Sequence, residues 1–279
     1  MTTVPSRISS RIAEGLKRFQ PIVESARTRD INESDTVVLM TGILSEILGF
    51  DKYADITTEL AIRGTFCDLA LKIDGKLWLL VEAKAIGTDL KENHIKQAVD
   101  YAANKGLEWV ILSNGISWKI FKVIFSKPIN HTLVCEINFL NLNSKNEDDI
   151  EKIYLLTKEA ISKHILEEIF TQKQATNRFM IGNLVCADPV VNAIRKELKQ
   201  IYPDIKVHPE EIKKVLLEEI LKREIIEGED SEEAKKKIAK VYRKIEKRQN
   251  EKNGTEEIDK PQVVTAAVEN SNVGNGASS

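Results

Sequence analysis

Residues 65–85, TFCDLALKIDGKLWLLVEAKA, constrain this chain more than any other stretch. They read as two β-strands around Asp74-Gly75. The second strand, Lys76 to Ala85, is apolar on both faces except at Glu82 and Lys84. A strand of that kind lies in the middle of a sheet, covered on both sides. Burying an unpaired carboxylate or ammonium there is costly, so the two charges need a compensating reason. They lie two positions apart and therefore point to the same face. Asp68 sits on the preceding strand.

Whether Asp68 joins them depends on register. A two-residue loop at Asp74-Gly75 pairs Ile73 with Lys76 and Asp68 with Val81, which turns Asp68 away from Glu82. A three-residue loop over Ile73-Asp74-Gly75 pairs Lys72 with Lys76 and Asp68 with Leu80. Asp68 and Glu82 then become diagonal neighbours about 7–8 Å apart on one face. Such loops end in a left-handed residue, which suits Gly75. If the two carboxylates act together, a bulged turn is expected here, and a one-residue slip would undo it.

An Asp followed by Glu-x-Lys on the next strand is an arrangement suited to cutting phosphodiesters. That reaction needs a nucleophilic water, neutralisation of phosphate charge and support for the leaving oxygen. Mg²⁺ (or Mn²⁺) takes hard oxygen ligands, and because Mg²⁺ keeps several waters, one or two carboxylates suffice. Asp68 and Glu82 are the candidate ligands, with the Ala83 carbonyl as a third. Lys84 would orient or deprotonate the attacking water, or contact the phosphate. The bland alternative is a buried ion network with no metal.

The pattern from Asp89 to Lys105 is helical, with Leu90, Ile95, Ala98, Val99 and Ala102 as its buried stripe. Gln97 and Tyr101 lie four apart and share a face; both could reach a substrate if that face abuts the Glu82 strand, or they could be a surface amide and a core-edge ring. Trp109–Ser113 reads as a strand, Asn114-Gly115 as a turn and Ser117–Val123 as the returning strand. Trp118 reads as a packing residue.

These segments, with IKQAVDYAANKGLEWVILSNGISWKIF after the first, resemble the N-terminal nuclease domain of the type I restriction enzyme R subunit. That domain belongs to the PD-(D/E)xK superfamily, and Gln97-x-x-x-Tyr101 is similar to the extra motif of its RecB-like branch. The resemblance spans roughly residues 30–125. It implies a restriction-endonuclease-like α/β core, a central mixed sheet flanked by helices. It also implies that Asp68 and Glu82 bind Mg²⁺, that Lys84 is catalytic, and that Gln97 and Tyr101 support the site or the DNA strand. An upstream acidic residue on the first core helix is usual in this superfamily; Glu46 is the candidate and Glu33 the runner-up.

The chain departs from a full R subunit. It has no Gly-rich Lys-Ser/Thr phosphate loop, and 279 residues leave no room for two motor lobes. The expectation is a free-standing metal-dependent deoxyribonuclease of restriction, defence or DNA processing, with DNA and other restriction or defence subunits as its expected partners. The alternatives are a non-catalytic nucleic-acid-binding or assembly subunit on the same fold, and a nuclease for RNA or another phosphodiester.

Composition limits the rest. With 41 Lys+Arg against 43 Asp+Glu, the net charge of −2 is not the broad basic balance of a non-specific DNA binder. Cys67, Cys135 and Cys186 are scattered and read as buried small residues in a reducing cytoplasm. The four histidines, 94, 131, 164 and 208, show no ligand spacing. Met1–Asp30 is charged throughout, so no signal peptide is expected, and no apolar run is long enough for a membrane span.

Along the chain, residues 1–30 form an N-terminal helical segment and 31–142 the nuclease-like domain, closing on a strand or exit segment at Glu136–Leu142. A polar break at 141–146 follows. Residues 147–250 are helical: Glu147–Gln174 carries an apolar stripe, and Asp188 caps a helix with Pro189 at its first position. A helix–turn–helix-like pair ends in Pro209–Glu224, whose five glutamates favour docking or assembly over DNA reading. Ser231–Arg248 is the last helix. Ala234, Ile238, Val241, Tyr242 and Ile245 form one stripe and Lys236, Lys240, Arg243 and Lys247 another, which is a solvated face, a DNA-backbone contact or a partner helix. From Glu251 to Ser279 the composition predicts disorder.

Overall fold

The computed structural model describes residues 3–62 and 65–256, with side chains at 59–62, 65–66 and 249–256 outside the description. The chain divides into two units, 1–174 and 175–279. The first is α/β. Its elements are α1 (Ser6–Arg29), α2 (Glu33–Glu46), β1 (Ile56–Ile62), β2 (Thr65–Ile73), β3 (Lys76–Ala83), α3 (Glu92–Lys105), β4 (Trp109–Ser113), β5 (Ser117–Ile124) and β6 (Asn130–Asn138), then α4 (Glu147–Tyr154), α5 (Lys158–Ser162) and α6 (Ile165–Ala175).

The six strands form one mixed sheet in the order β1-β2-β3-β4-β5-β6. All neighbours are antiparallel except β3 and β4, which run parallel because α3 carries the chain across between them. Alternation along the strands makes two apolar faces. Ala70, Leu80, Val110 and Leu112 face α3, whose Ile95, Ala98, Val99 and Ala102 cover them. Leu69, Leu71, Leu79, Val81 and Ile111 face the other way, onto α1, α2 and α4–α6. The layout is compatible with a restriction-endonuclease-like core. The α3 stripe expected from the sequence is buried throughout, and Trp118 is buried with its Nε1 donating to the Gly115 carbonyl at 3.1 Å.

The unit is larger than the expected nuclease domain. Residues 1–30 and 147–174 belong to it because their apolar stripes complete the same core: Ile12, Leu16 and Val23 of α1 pack with Ile150, Ile153, Leu156, Ile161 and Ile165. The division falls at 174/175 and not at the polar break near 142. Two polar ties reinforce it. Arg11 donates twice to the Glu159 carboxylate, at 2.7 and 2.8 Å. Lys158 Nζ donates to the buried Asp55 at 2.6 Å.

The second unit is helical among its described residues: α7 (Arg178–Val185), α8 (Asp188–Ile201), α9 (Pro209–Val215), α10 (Arg223–Ile226) and α11 (Glu229–Glu256). Ala187 takes the N-cap of α8, one residue ahead of the expected Asp188. The helix expected over Pro209–Glu224 is broken: a π-turn occupies Leu216–Ile220 and Leu221 is extended, so no continuous recognition helix exists there. The helix α11 runs through Glu256, past the expected end near 248; the rest of the tail expected to be disordered lies outside the described residues. No helix among the described residues is long and apolar enough to cross a membrane.

Candidate functional site

The β2–β3 hairpin departs from the expected turn yet gives the expected parity. Asp74 and Gly75 both have positive φ, 50° and 75°, and Ile73 pairs with Lys76, so the loop has two residues and not three. This is the backbone that an Asp-Gly pair favours in a tight hairpin. The bulge sits further along. Lys72 pairs with Leu77 but Leu71 pairs with Leu79, which leaves Trp78 as an extra residue on β3. Trp78 stacks on Trp109, with centroids 6.1 Å apart. The shift carries Ala70 opposite Leu80 and Leu69 opposite Val81. One step further sets Asp68 directly opposite Glu82, at about 5 Å between backbone positions, on the same face.

The carboxylates meet different surroundings. Asp68 is half-buried, and its Oδ2 accepts the Ala83 N–H at 2.7 Å. Glu82 is 2% exposed. Its Oε1 accepts from Lys84 Nζ at 2.8 Å, while its Oε2 is buried with no hydrogen-bond partner among the described residues. Burial pushes the Glu82 carboxyl above its ordinary range; the Lys84 hydrogen bond offsets this in part, and the Asp68 charge adds to it. Burial also acts to lower Lys84, but the Glu82 hydrogen bond and the charges of Glu82, Glu33 and Asp68 outweigh it and hold the amine above its ordinary value. In this arrangement the Lys84 amine donates to Glu82.

Glu46 does not join this cluster. Its carboxylate pairs with Arg18 on α1. The runner-up, Glu33, lies 3.5 Å from Lys84 Nζ. The two glutamates stand at opposite ends of α2, about 20 Å apart along its axis at the usual rise per residue. Asn32 caps the helix by accepting the Asp35 N–H at 2.9 Å, which fixes Glu33 in the first turn. The cap sets where α2 begins but not which of its ends meets Lys84, which only the packing of α2 decides.

Gln97 and Tyr101 form a pair on α3, the amide donating to the phenol oxygen at 2.9 Å. Tyr101 is in the core under the sheet, and Gln97 is exposed. Asn114 has a part that the sequence did not reveal. Its buried side chain donates to the carbonyls of Ile86 and Thr88, at 3.2 and 3.0 Å, and accepts the N–H groups of Ile116 and Ser117. It thereby ties the β4–β5 turn to the segment leaving the Glu82–Lys84 strand. Cys67 adjoins the site but is inert: burial, with the Glu82 and Asp68 charges, pushes its thiol up to about 12. Cys135 and Cys186 are half-buried, less covered than expected, and all three cysteines are free.

Among the described residues no three His, Cys, Asp or Glu side chains form a metal cage. The oxygen donors whose chemistry suits a hard divalent cation here are fewer, the two carboxylates of Asp68 and Glu82. The orphaned, buried Glu82 Oε2 is the observation that favours this fit, since a buried acceptor without a partner is uncommon.

Residues 43–137, about a third of the chain, match the family described as type I restriction enzyme R protein N terminus. The matched stretch holds Asp68, Glu82, Lys84, Gln97 and Tyr101 and leaves Glu33 outside. Comparison with curated proteins and with solved structures gave no match. Over residues 43–137 the chain is therefore similar to the N-terminal domain of the type I restriction enzyme R protein.

Proposed function

We propose that this protein is a divalent-metal-dependent nuclease that hydrolyses DNA phosphodiester bonds at Asp68, Glu82 and Lys84. The observation that carries the reading is Asp68 placed opposite a buried Glu82 whose second oxygen has no partner among the described residues, beside the Lys84 amine. The family match supports DNA as the substrate and restriction subunits as partners.

Asp68, Glu82 and the Ala83 carbonyl would hold Mg²⁺ or Mn²⁺, which when bound lowers the pKa of a coordinated water and neutralises phosphate charge. The chain's own residues do the rest. Asp68 is anchored through Oδ2 by the Ala83 N–H. Lys84 donates to a phosphate oxygen or to the attacking water and stabilises the charge that develops there. Glu33 holds the Lys84 head from its other side. Gln97, exposed and fixed by Tyr101, offers its amide to the strand being cut.

The test is cleavage of plasmid and single-stranded DNA by the purified chain in Mg²⁺, Mn²⁺ or EDTA. Asp68→Ala and Glu82→Ala are expected to abolish metal-dependent cutting without unfolding. Lys84→Ala is expected to leave metal binding largely intact and stop turnover. Normal cutting by any of the three would refute the site. Metal binding without cutting by the unaltered chain would favour a silent subunit.

A further inference from the structure

We propose that α11 is a second nucleic-acid contact, a backbone-binding face outside the nuclease site. Lys236, Lys240, Arg243, Lys244 and Lys247 line one continuous exposed surface with no carboxylate among them. At 100° per residue the five fall within about 100° of arc. The apolar positions Ala234, Ile238, Val241 and Ile245 lie on the opposite side of the helix, so the basic face is not a by-product of packing.

Three features point to a polyanion. Among the described residues none of the five is in an ion pair, although ion pairs link other basic residues to acids in both units. Like charges three and four apart, as in Lys236–Lys240, Lys240–Lys244 and Arg243–Lys247, destabilise an isolated helix, a cost that a bound anion would reverse. The spacing also suits a phosphodiester backbone. From Lys236 to Lys247 the helix rises about 16 Å, and one strand of a duplex presents a phosphate about every 3.4 Å of axis. Five cations thus meet about five phosphates. With a net charge of −2, the chain has no general basicity, so such affinity must be local.

The choice of nucleic acid over another polyanion rests on the nuclease reading of the first unit, and the test separates the two. Full-length protein is titrated into a fluorescent 30-base-pair duplex in EDTA, where cutting is absent, across a salt series. The variant carries Lys236→Gln, Lys240→Gln, Arg243→Gln and Lys247→Gln. Its plot of log affinity against log salt is expected to be shallower by about 3–4, from roughly 0.9 per lost phosphate contact. The matching arginine variant (K236R, K240R, K247R) is expected to keep the slope, and an unchanged thermal unfolding curve of the glutamine variant excludes a folding defect. An unchanged slope and affinity in the glutamine variant would overturn the proposal. So would polyglutamate competing as well as DNA, which would assign the face to an acidic protein. Glu82→Gln is expected to bind with an unaltered slope but not cut. If the unaltered chain binds through α11 yet never cuts, the nuclease reading fails and this one stands; if it cuts and the glutamine variant keeps its slope, the reverse holds.

Discussion

Glu82→Gln is expected to stabilise the metal-free protein while ending its activity. In the unaltered chain Glu82 is almost fully buried, one oxygen is satisfied by Lys84, and the other has no partner among the described residues. A buried acceptor left unmade costs about 1–3 kcal/mol. The glutamine amide can keep an oxygen toward Lys84 and turn its NH₂ toward Asp68, so that both polar atoms are used. Removing one partner of a buried pair is usually damaging because the other charge is stranded. Lys84 is not stranded here, since Glu33 remains 3.5 Å away. The net gain is therefore about 1–2 kcal/mol, or roughly 2–8 °C in Tm for a unit of this size. The assay is thermal unfolding in EDTA and then in Mg²⁺. In Mg²⁺ the order should reverse. A cation at a hundredfold excess over its Kd adds about 2.7 kcal/mol to the unaltered protein and much less to the variant. A variant less stable than the unaltered chain in EDTA would refute the reasoning and make Glu82 a structural ion-pair partner. So would an unaltered chain whose Tm ignores Mg²⁺ and Mn²⁺.

Acid should show the same residue at work. The native state holds the Glu82 proton more tightly than the unfolded chain, whose ordinary value is 4.5. Its contribution to stability in EDTA is thus present below that value and lost as pH rises through the raised native one; Glu82→Gln should lack this component in a pH series of unfolding curves. Tyr101→Phe removes the acceptor of the Gln97 amide and should cost only about 0.5–1.5 kcal/mol, while raising KM for DNA more than it lowers kcat; an unchanged KM would leave the pair a structural one. A chain ending at Gln174 should fold, and one ending at Leu142 should not. The shorter chain loses Ile150, Ile153, Tyr154, Leu155, Leu156, Ile161, Ile165 and Leu166 from the core. At about 1.5 kcal/mol or more for each buried side chain, that loss rivals the entire stability of a typical domain, about 5–15 kcal/mol. A cooperative unfolding transition in the shorter chain would show that α4–α6 are dispensable.

Local pattern determined much of this protein. Alternation and apolar runs marked β3, β4 and β5, the 3.6-residue period marked α1, α2 and α3, and the position of two charges in an apolar strand singled out Glu82 and Lys84. These readings succeed because burial acts residue by residue along a regular element. What failed depends on contacts between distant segments. The two-residue Asp74-Gly75 turn alone would have put Asp68 on the wrong face; the bulge at Trp78 corrects the parity, and the bulged residue stacks on Trp109, thirty-one positions away in the chain. The choice between Glu33 and Glu46 was equally invisible, since both lie on α2 and only the packing of α2 against β3 brings one end to Lys84. The polar break near residue 142 looked like a boundary because sequence shows where a chain turns, not what its next helices cover. Only the tertiary structure decided that α4–α6 fold back onto the sheet, because the apolar face they bury belongs to strands and helices far from them in sequence.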